Sequence, residues 1–153
     1  MEIEKKFLVD AKWMKDIRLS ACHILDIKQG YLSTDPERTV RVRIQNSSAF
    51  LTVKGKSEVQ NGFDTRKEIE ISIGLDEAEQ MMTLCDKVLE KTRYIIPFCG
   101  YTFEVDEFKG KNYGLILAEV EINNINEAEK VELPEWIGDD VTGCPDYYNS
   151  RLV

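Results

Sequence analysis

The stretch Glu2-Ile3-Glu4-Lys5-Lys6-Phe7 decides how the rest of the chain is read. In an extended strand, alternate side chains leave opposite faces. Glu2, Glu4 and Lys6 therefore share one face, and Ile3 and Phe7 the other. A half-buried strand normally keeps its apolar face inside and its polar face in water. Three charges on one face fit either an edge strand against bulk solvent or one wall of an enclosed polar site. A single strand does not separate the two; recurrence does.

The pattern recurs along the chain. Val40, Val42 and Ile44 oppose Thr39, Arg41 and Arg43, and Leu51 and Val53 oppose Thr52, Lys54 and Lys56. Ile69, Ile71 and Ile73 oppose Arg66, Glu68 and Glu70. Lys91 and Arg93 share a face, Phe103 and Val105 oppose Glu104 and Asp106, and Val120 and Ile122 oppose Glu119 and Glu121. With a further strand at 27–33 presenting Gln29, Tyr31 and Ser33, the spacing predicts eight strands: 2–7, 27–33, 39–45, 50–56, 65–73, 91–95, 101–108 and 115–122. Most are separated by short turns, so the pairing should be antiparallel. Asp10 is placed as the cap of a short helix carrying Trp13, Met14 and Ile17. Asp76 and Glu79 form the capping box of a second helix carrying Ala78, Met81, Met82 and Cys85. Residues 57–62 read as a loop, and the Pro- and Gly-bearing tail as short helices and turns.

Polar faces opposite Val, Ile, Leu and Phe faces are reconciled by a closed sheet. The expected fold is mainly β (α+β): an eight-stranded antiparallel barrel with a polar lumen, its apolar outer face packed under a few helices. Such a barrel is wide enough for one small ligand. With 153 residues, no internal repeat and no linker, the chain is read as one domain, 1–153.

Composition narrows the partners. A net charge of −8 argues against nucleic acid as the default ligand. Cys22, Cys85, Cys99 and Cys144 form no C-x-x-C pair, which suits reduced thiols in the cytoplasm. The chain opens on charged residues, without the apolar stretch of a secretion signal, and no run is long enough for a membrane helix. Polar-in, apolar-out strands also occur in outer-membrane barrels. The absent signal and the amphipathic second helix argue against that reading. Gly55-Lys56-Ser57 imitates the end of a phosphate-binding loop, but Phe50 stands where that motif needs glycine. His23 is the only histidine, which argues against a histidine triad or zinc site.

The lumen would carry both signs of charge. Enclosed Arg and Lys recognise phosphate or carboxylate, whereas clustered Asp and Glu repel the same anion. A hard divalent cation reconciles them, because it takes carboxylate and phosphate oxygens together. Acids, bases and a metal around a polyphosphate make a phosphoryl-transfer site.

Here the chain resembles a known family. Glu2-x-Glu4-x-Lys6 is similar to the E-x-E-x-K motif of the CYTH family, the triphosphate tunnel metalloenzymes. The segments around Arg41 and Arg43, Lys54 and Lys56, Lys91 and Arg93, Glu104 and Asp106, and Glu119 and Glu121 follow in that family's order. The closing Tyr147-Tyr148-Asn149-Ser150 resembles the tail of its compact bacterial members. The resemblance implies an eight-stranded tunnel that hydrolyses a triphosphate, inorganic triphosphate first among them, with Mg²⁺ or Mn²⁺. It implies that Glu2, Glu4, Glu119 and Glu121 hold metal, helped by Glu68 and Asp106. Glu2, Glu4 and Glu121 would act in catalysis, and Lys6, Arg41, Arg43, Lys54 and Arg93 would grip phosphate. Lys56, Arg66, Lys91 and Glu104 share the inward parity and fit either the site or structural ion pairs. Tyr147 and Tyr148 are read as sealing the barrel. A homodimer is left open. So are a class IV adenylate cyclase, hydrolysis of thiamine or nucleoside triphosphates, and a polyphosphate-binding module without catalysis. The sequence offers no recognisable aromatic or amide pocket for adenine, which favours hydrolysis over cyclisation.

Overall fold

The computed structural model describes residues 1–153. The fold is mainly β: ten strands form one antiparallel, strongly curled sheet with a few short helices. The strands are β1 (Glu2–Leu8), β2 (His23–Ser33), β3 (Thr39–Gln45), β4 (Ser48–Lys54), β5 (Glu58–Gln60), β6 (Phe63–Arg66), β7 (Glu68–Ile73), β8 (Val88–Phe98), β9 (Tyr101–Phe108) and β10 (Ile116–Glu121). Their order across the sheet is β5-β6-β1-β10-β9-β8-β2-β3-β4-β7.

Ten strands rather than eight arise from two local events. The expected strand 65–73 changes partners at Lys67: β6 pairs with β1, placing Arg66 opposite Glu2, while β7 pairs with β4, placing Glu68 opposite Lys54. Two ladders leave in different directions from one residue, so the strand breaks there. The expected loop 57–62 holds the short β5, which pairs back on β6 around Asn61 and Gly62, both at positive φ. That backbone conformation suits a tight hairpin turn.

The helices lie where apolar stripes predict them, with one cap corrected. The Asp10 carboxylate accepts from the Lys12 amide and caps the turn leading into α1 (Met14–Ser20). The second helix, α2 (Leu75–Met82), is instead capped by Gly74 through its backbone, so Asp76 and Glu79 do not form the expected capping box. A side chain at Gly74 would collide with the Glu77 carboxylate folded over it.

The outer face is covered unevenly. Met14 and Ile17 of α1 and Trp136 of the tail pack on Phe7, Phe103, Val105 and Val120, the largest core cluster. Ala78 and Met82 of α2 cover Val42 and Ala49. Ile69 and Ile71, however, stay 58% and 52% exposed, so the expectation that every outer apolar residue is buried does not hold on β7. No helix is long and apolar enough to cross a membrane. On the inner face, one end is filled by Leu89, Phe108 and Leu117, onto which Val153 packs with partly buried Leu8 and Leu152. The chain's last residues, including α3 (Asn149–Leu152), are thereby pinned against the sheet.

Candidate active site

Strand register carries the charged side chains round the concave face. Glu4 stands opposite Glu121 and Lys6 opposite Glu119 on β1 and β10. Glu119 stands opposite Glu104 on β9, and Asp106 opposite Arg93 on β8. Gln29 and Tyr31 of β2 face Arg43 and Arg41 of β3, which continue to Phe50 and Thr52 on β4. Directly opposed residues lie close enough for their side chains to interact. The result is a cavity of about 270 Å³ lined by 23 residues, only four of them hydrophobic. A greasy ligand has little to bind there.

Of the residues expected from the sequence, Glu2, Glu4, Lys6, Arg41, Arg43, Lys54, Glu68, Arg93, Glu119 and Glu121 all line this cavity. Arg66, Lys91 and Glu104, whose parity alone was ambiguous, line it too. Lys56 does not, because β4 ends at Lys54 and leaves it exposed. Asp106, expected as a helper at the metal, lies beneath the cavity at 2% exposure. Both its oxygens are taken by Arg93, at 2.7 and 2.9 Å, and Lys91 Nζ stands 2.7 Å away. It is a counter-ion to buried bases.

Further residues line the cavity that the sequence reading gave no ligand role, Tyr148 being expected only to seal the barrel. Asp64 sits opposite Glu4 on β6 and accepts from the Ser57 hydroxyl. The tail contributes Tyr148, Asn149 and Ser150. Phe50 and Gln45, an aromatic and an amide side chain that the sequence reading did not name, also line the cavity. Parity would have found Asp64 had the strand been started two residues earlier. The uncharged tail residues and Gln45 left no charge pattern to find.

The charges are compensated unequally. Glu2 is pushed up by burial but held below its ordinary pKa by Lys54, whose Nζ reaches both its oxygens at 2.9 and 3.0 Å. Glu119 is likewise buried, yet Lys6 and Arg93 hold it well below the usual range. Glu4 goes the other way. Burial, then Glu119 and Glu2, raise it well above an ordinary carboxylate, against the weaker pull of Lys54 and Lys6. Burial and the charges of Glu2 and Glu68 push Glu121 up to about 7, and burial and Glu2 raise Glu68. Among the bases, burial next to Arg41 and Arg93 lowers Arg43 to about 9. Burial lowers Lys91 to about 7 despite Asp106. Arg41 Nη2 donates to Thr52 and Glu70, at 3.1 and 3.3 Å, while its buried Nε has no partner.

Known proteins resemble this chain over nearly its whole length. Residues 1–143 match the model of the CYTH domain. The chain is 44% identical to an inorganic triphosphatase of Acetivibrio thermocellus, covering 99% of this chain and 92% of the relative. It is 34% identical to an inorganic triphosphatase of Nitrosomonas europaea, covering 99% and 96%. A crystal structure of an inorganic triphosphatase superposes with a TM-score of 0.63 at 31% identity, over 99% of this chain and 93% of that one. The chain belongs to the CYTH domain family.

Proposed function

We propose that this chain is an inorganic triphosphatase, a hydrolase that splits triphosphate into pyrophosphate and phosphate in the cytoplasm. The reading treats residues 1–153 as one domain and the curled sheet as an eight-stranded tunnel. The tunnel is supported by the Lys54 to Glu2 contact at 2.9 Å and by Arg66 Nε donating to the Gly55 carbonyl at 3.0 Å, which tie β1 and β6 near one end of the strand order to β4 near the other.

One observation carries the substrate class. Arg41, whose Nε has no hydrogen-bond partner, lines the cavity beside Arg43, whose one side-chain hydrogen bond goes to the neutral Gln29 and which is paired with no carboxylate. A guanidinium that the protein's own acids leave uncommitted suits a phosphate oxygen. Arg43, Lys54, Lys6 and Arg93 complete a basic wall beside it. Arg is suited to phosphate through its planar fork.

The acids fit Mg²⁺ or Mn²⁺. No three acidic side chains converge as a ready cage. Mg²⁺, however, keeps several waters and takes one or two carboxylates together with substrate phosphates. Glu4, Glu121 and Glu68, the carboxylates short of a counter-charge, would hold it, with Glu2 and Glu119 beside them. When bound, it would neutralise phosphate charge and acidify a water. The chain's own contributions are separate. Arg41, Arg43 and Arg93 fix the phosphates in line, and a lumen carboxylate beside the attacking water, Glu121 among them, would take its proton. Water oxygen bonds to the terminal phosphorus, the bridging oxygen leaves with pyrophosphate, and the proton passes to the carboxylate.

A cyclase is the second reading, since Phe50 and Gln45 could meet a nucleobase. Product analysis separates the two. With triphosphate and Mg²⁺ or Mn²⁺, equal amounts of phosphate and pyrophosphate are expected. Cyclic AMP as the main product from ATP would overturn the hydrolase reading.

A further inference from the structure

The acids that line the cavity divide into two sets. Five have a base close by: Glu2 and Glu68 share Lys54, Glu70 has Arg41, Glu104 has Arg93 and Glu119 has Lys6, at 2.9 to 3.4 Å. Three have no Lys or Arg nitrogen within 4.0 Å: Glu4, Glu121 and Asp64. The three are not scattered. Glu4 stands opposite Glu121 on one side and opposite Asp64 on the other, so they form a single row across β10, β1 and β6. Directly opposed residues have Cβ atoms about 5 Å apart, and like charges there destabilise a sheet. The fold thus gives a base to each acid around the row and none to the row itself.

Asp64 is the member of the row that no charge pattern in the sequence marks. It is 5% exposed and lines the cavity. Its Oδ1 accepts from the Ser57 hydroxyl, which in turn accepts from the Tyr148 hydroxyl at 2.9 Å. A neutral donor orients the carboxylate without cancelling its charge, and Oδ2 is left without a partner. A separate sign that the cavity takes a ligand comes from β3, where Arg41 is 8% exposed and its buried Nε also has no partner.

We infer that Asp64 is a third carboxylate toward the divalent cation, in one row with Glu4 and Glu121, and that the Ser57 hydroxyl positions it. The inference rests on the lumen being the site of metal-dependent triphosphate hydrolysis. The three carboxylates do not converge as a bare cage. A cation that keeps part of its water shell is also held by carboxylates that reach it through that water. Asp64 supplies such a charge on the β6 side of Glu4. The paired acids are less suited to this, because drawing Glu119 or Glu104 to a cation takes it from Lys6 or Arg93.

The test reads Mn²⁺ binding to the full chain by electron paramagnetic resonance, which counts free Mn²⁺ and does not depend on turnover. Asp64→Asn keeps the shape and the oxygen that accepts from Ser57. Losing a side chain that supports a bound metal weakens affinity by about ten- to a hundredfold, and the Mn²⁺ Kd is expected to rise by that factor. The Mn²⁺ concentration needed for half-maximal triphosphate hydrolysis should rise with it, while excess Mn²⁺ restores most of kcat. Ser57→Ala removes the hydrogen bond but keeps the charge, and should move the Mn²⁺ Kd less than Asp64→Asn does. Glu104→Gln removes an acid already answered by Arg93, and should leave the Mn²⁺ Kd as in the wild type. An unchanged Mn²⁺ Kd in Asp64→Asn would overturn the proposal. So would an equally large loss in Ser57→Ala, the mark of a merely structural residue, or in Glu104→Gln, the mark of a diffuse charge effect. A wild type that binds Mn²⁺ through Asp64 without cleaving triphosphate would refute the hydrolase reading and leave the assignment of Asp64 standing.

Discussion

Asp106 and Glu4 are both acids on the inner side of the curled sheet, yet their surroundings drive them in opposite directions. Around Asp106 each charge is answered: Arg93 binds it through two nitrogens, Lys91 sits beside it, and it stays ionised well below the ordinary range despite burial. Around Glu4 the neighbours are Glu119 and Glu2, and burial adds to their repulsion. Glu121 and Glu68 share that shortage of positive charge. The charges around Asp106 are balanced within the protein, whereas burial and acidic neighbours leave Glu4 under-compensated, a place that a cation would relieve. A carboxylate is thus answered by buried bases at one place and crowded by other acids at the other.

Breaking the balanced region should have the largest effect on stability. Asp106→Asn leaves Lys91 and Arg93 buried without their counter-ion. Losing one partner of a buried pair costs about 3–5 kcal/mol. Urea unfolding should show a loss of that order with or without triphosphate. A loss confined to activity would mean that Asp106 serves the ligand instead.

The other region should respond in the opposite sense. Glu4→Gln removes a carboxylate that has no counter-charge, so the free protein should be as stable as the wild type or more so. Its kcat with Mg²⁺ should fall by on the order of 100-fold, about 2.7 kcal/mol of barrier, with partial rescue by excess metal. Destabilisation of the free protein together with normal turnover would reverse the contrast drawn here.

A smaller effect is expected from pH. Glu121 has a raised folded pKa, so between about 4.5 and about 7 the folded state binds more protons than the unfolded one. Its stabilising contribution is therefore complete below 4.5 and is lost as pH rises through 7. Asp106 has the opposite sign: its contribution is lost only when acid drives the pH below the ordinary aspartate range. Metal-free thermal unfolding at pH 5 and pH 7.5 should show the decline, and Glu121→Gln should flatten it. A slope unaffected by that substitution would place the titrating group elsewhere.

The sequence carried much of this, and its failures have physical causes. Parity on β1, β3 and β10 is legible because Val, Ile and Phe alternate with charge, and seven of the ten cavity-lining residues named above lie on those strands. On β6 it misses Asp64 because the strand is read as starting at Thr65, whereas it starts at Phe63. Parity shows which face a carboxylate takes, but not whether it is already paired. For Asp106 that depends on β8, a neighbour fixed by long-range pairing. Gln29 and Asn149 are uncharged, 120 residues apart, and meet only when the tail folds back over the cavity. The break at Lys67 follows from curvature, which no local propensity records.

The most direct test of the contrast is the affinity for triphosphate of the wild type and Glu4→Gln, measured by calorimetry with and without Mg²⁺ or Mn²⁺. The account predicts that metal strongly tightens triphosphate binding to the wild type. It also predicts that Glu4→Gln binds the bare anion more tightly than the wild type does, because a repelling charge is gone, while losing most of the gain from metal. Equal affinities with and without metal in the wild type, or a Glu4→Gln variant that binds bare triphosphate more weakly, would contradict it.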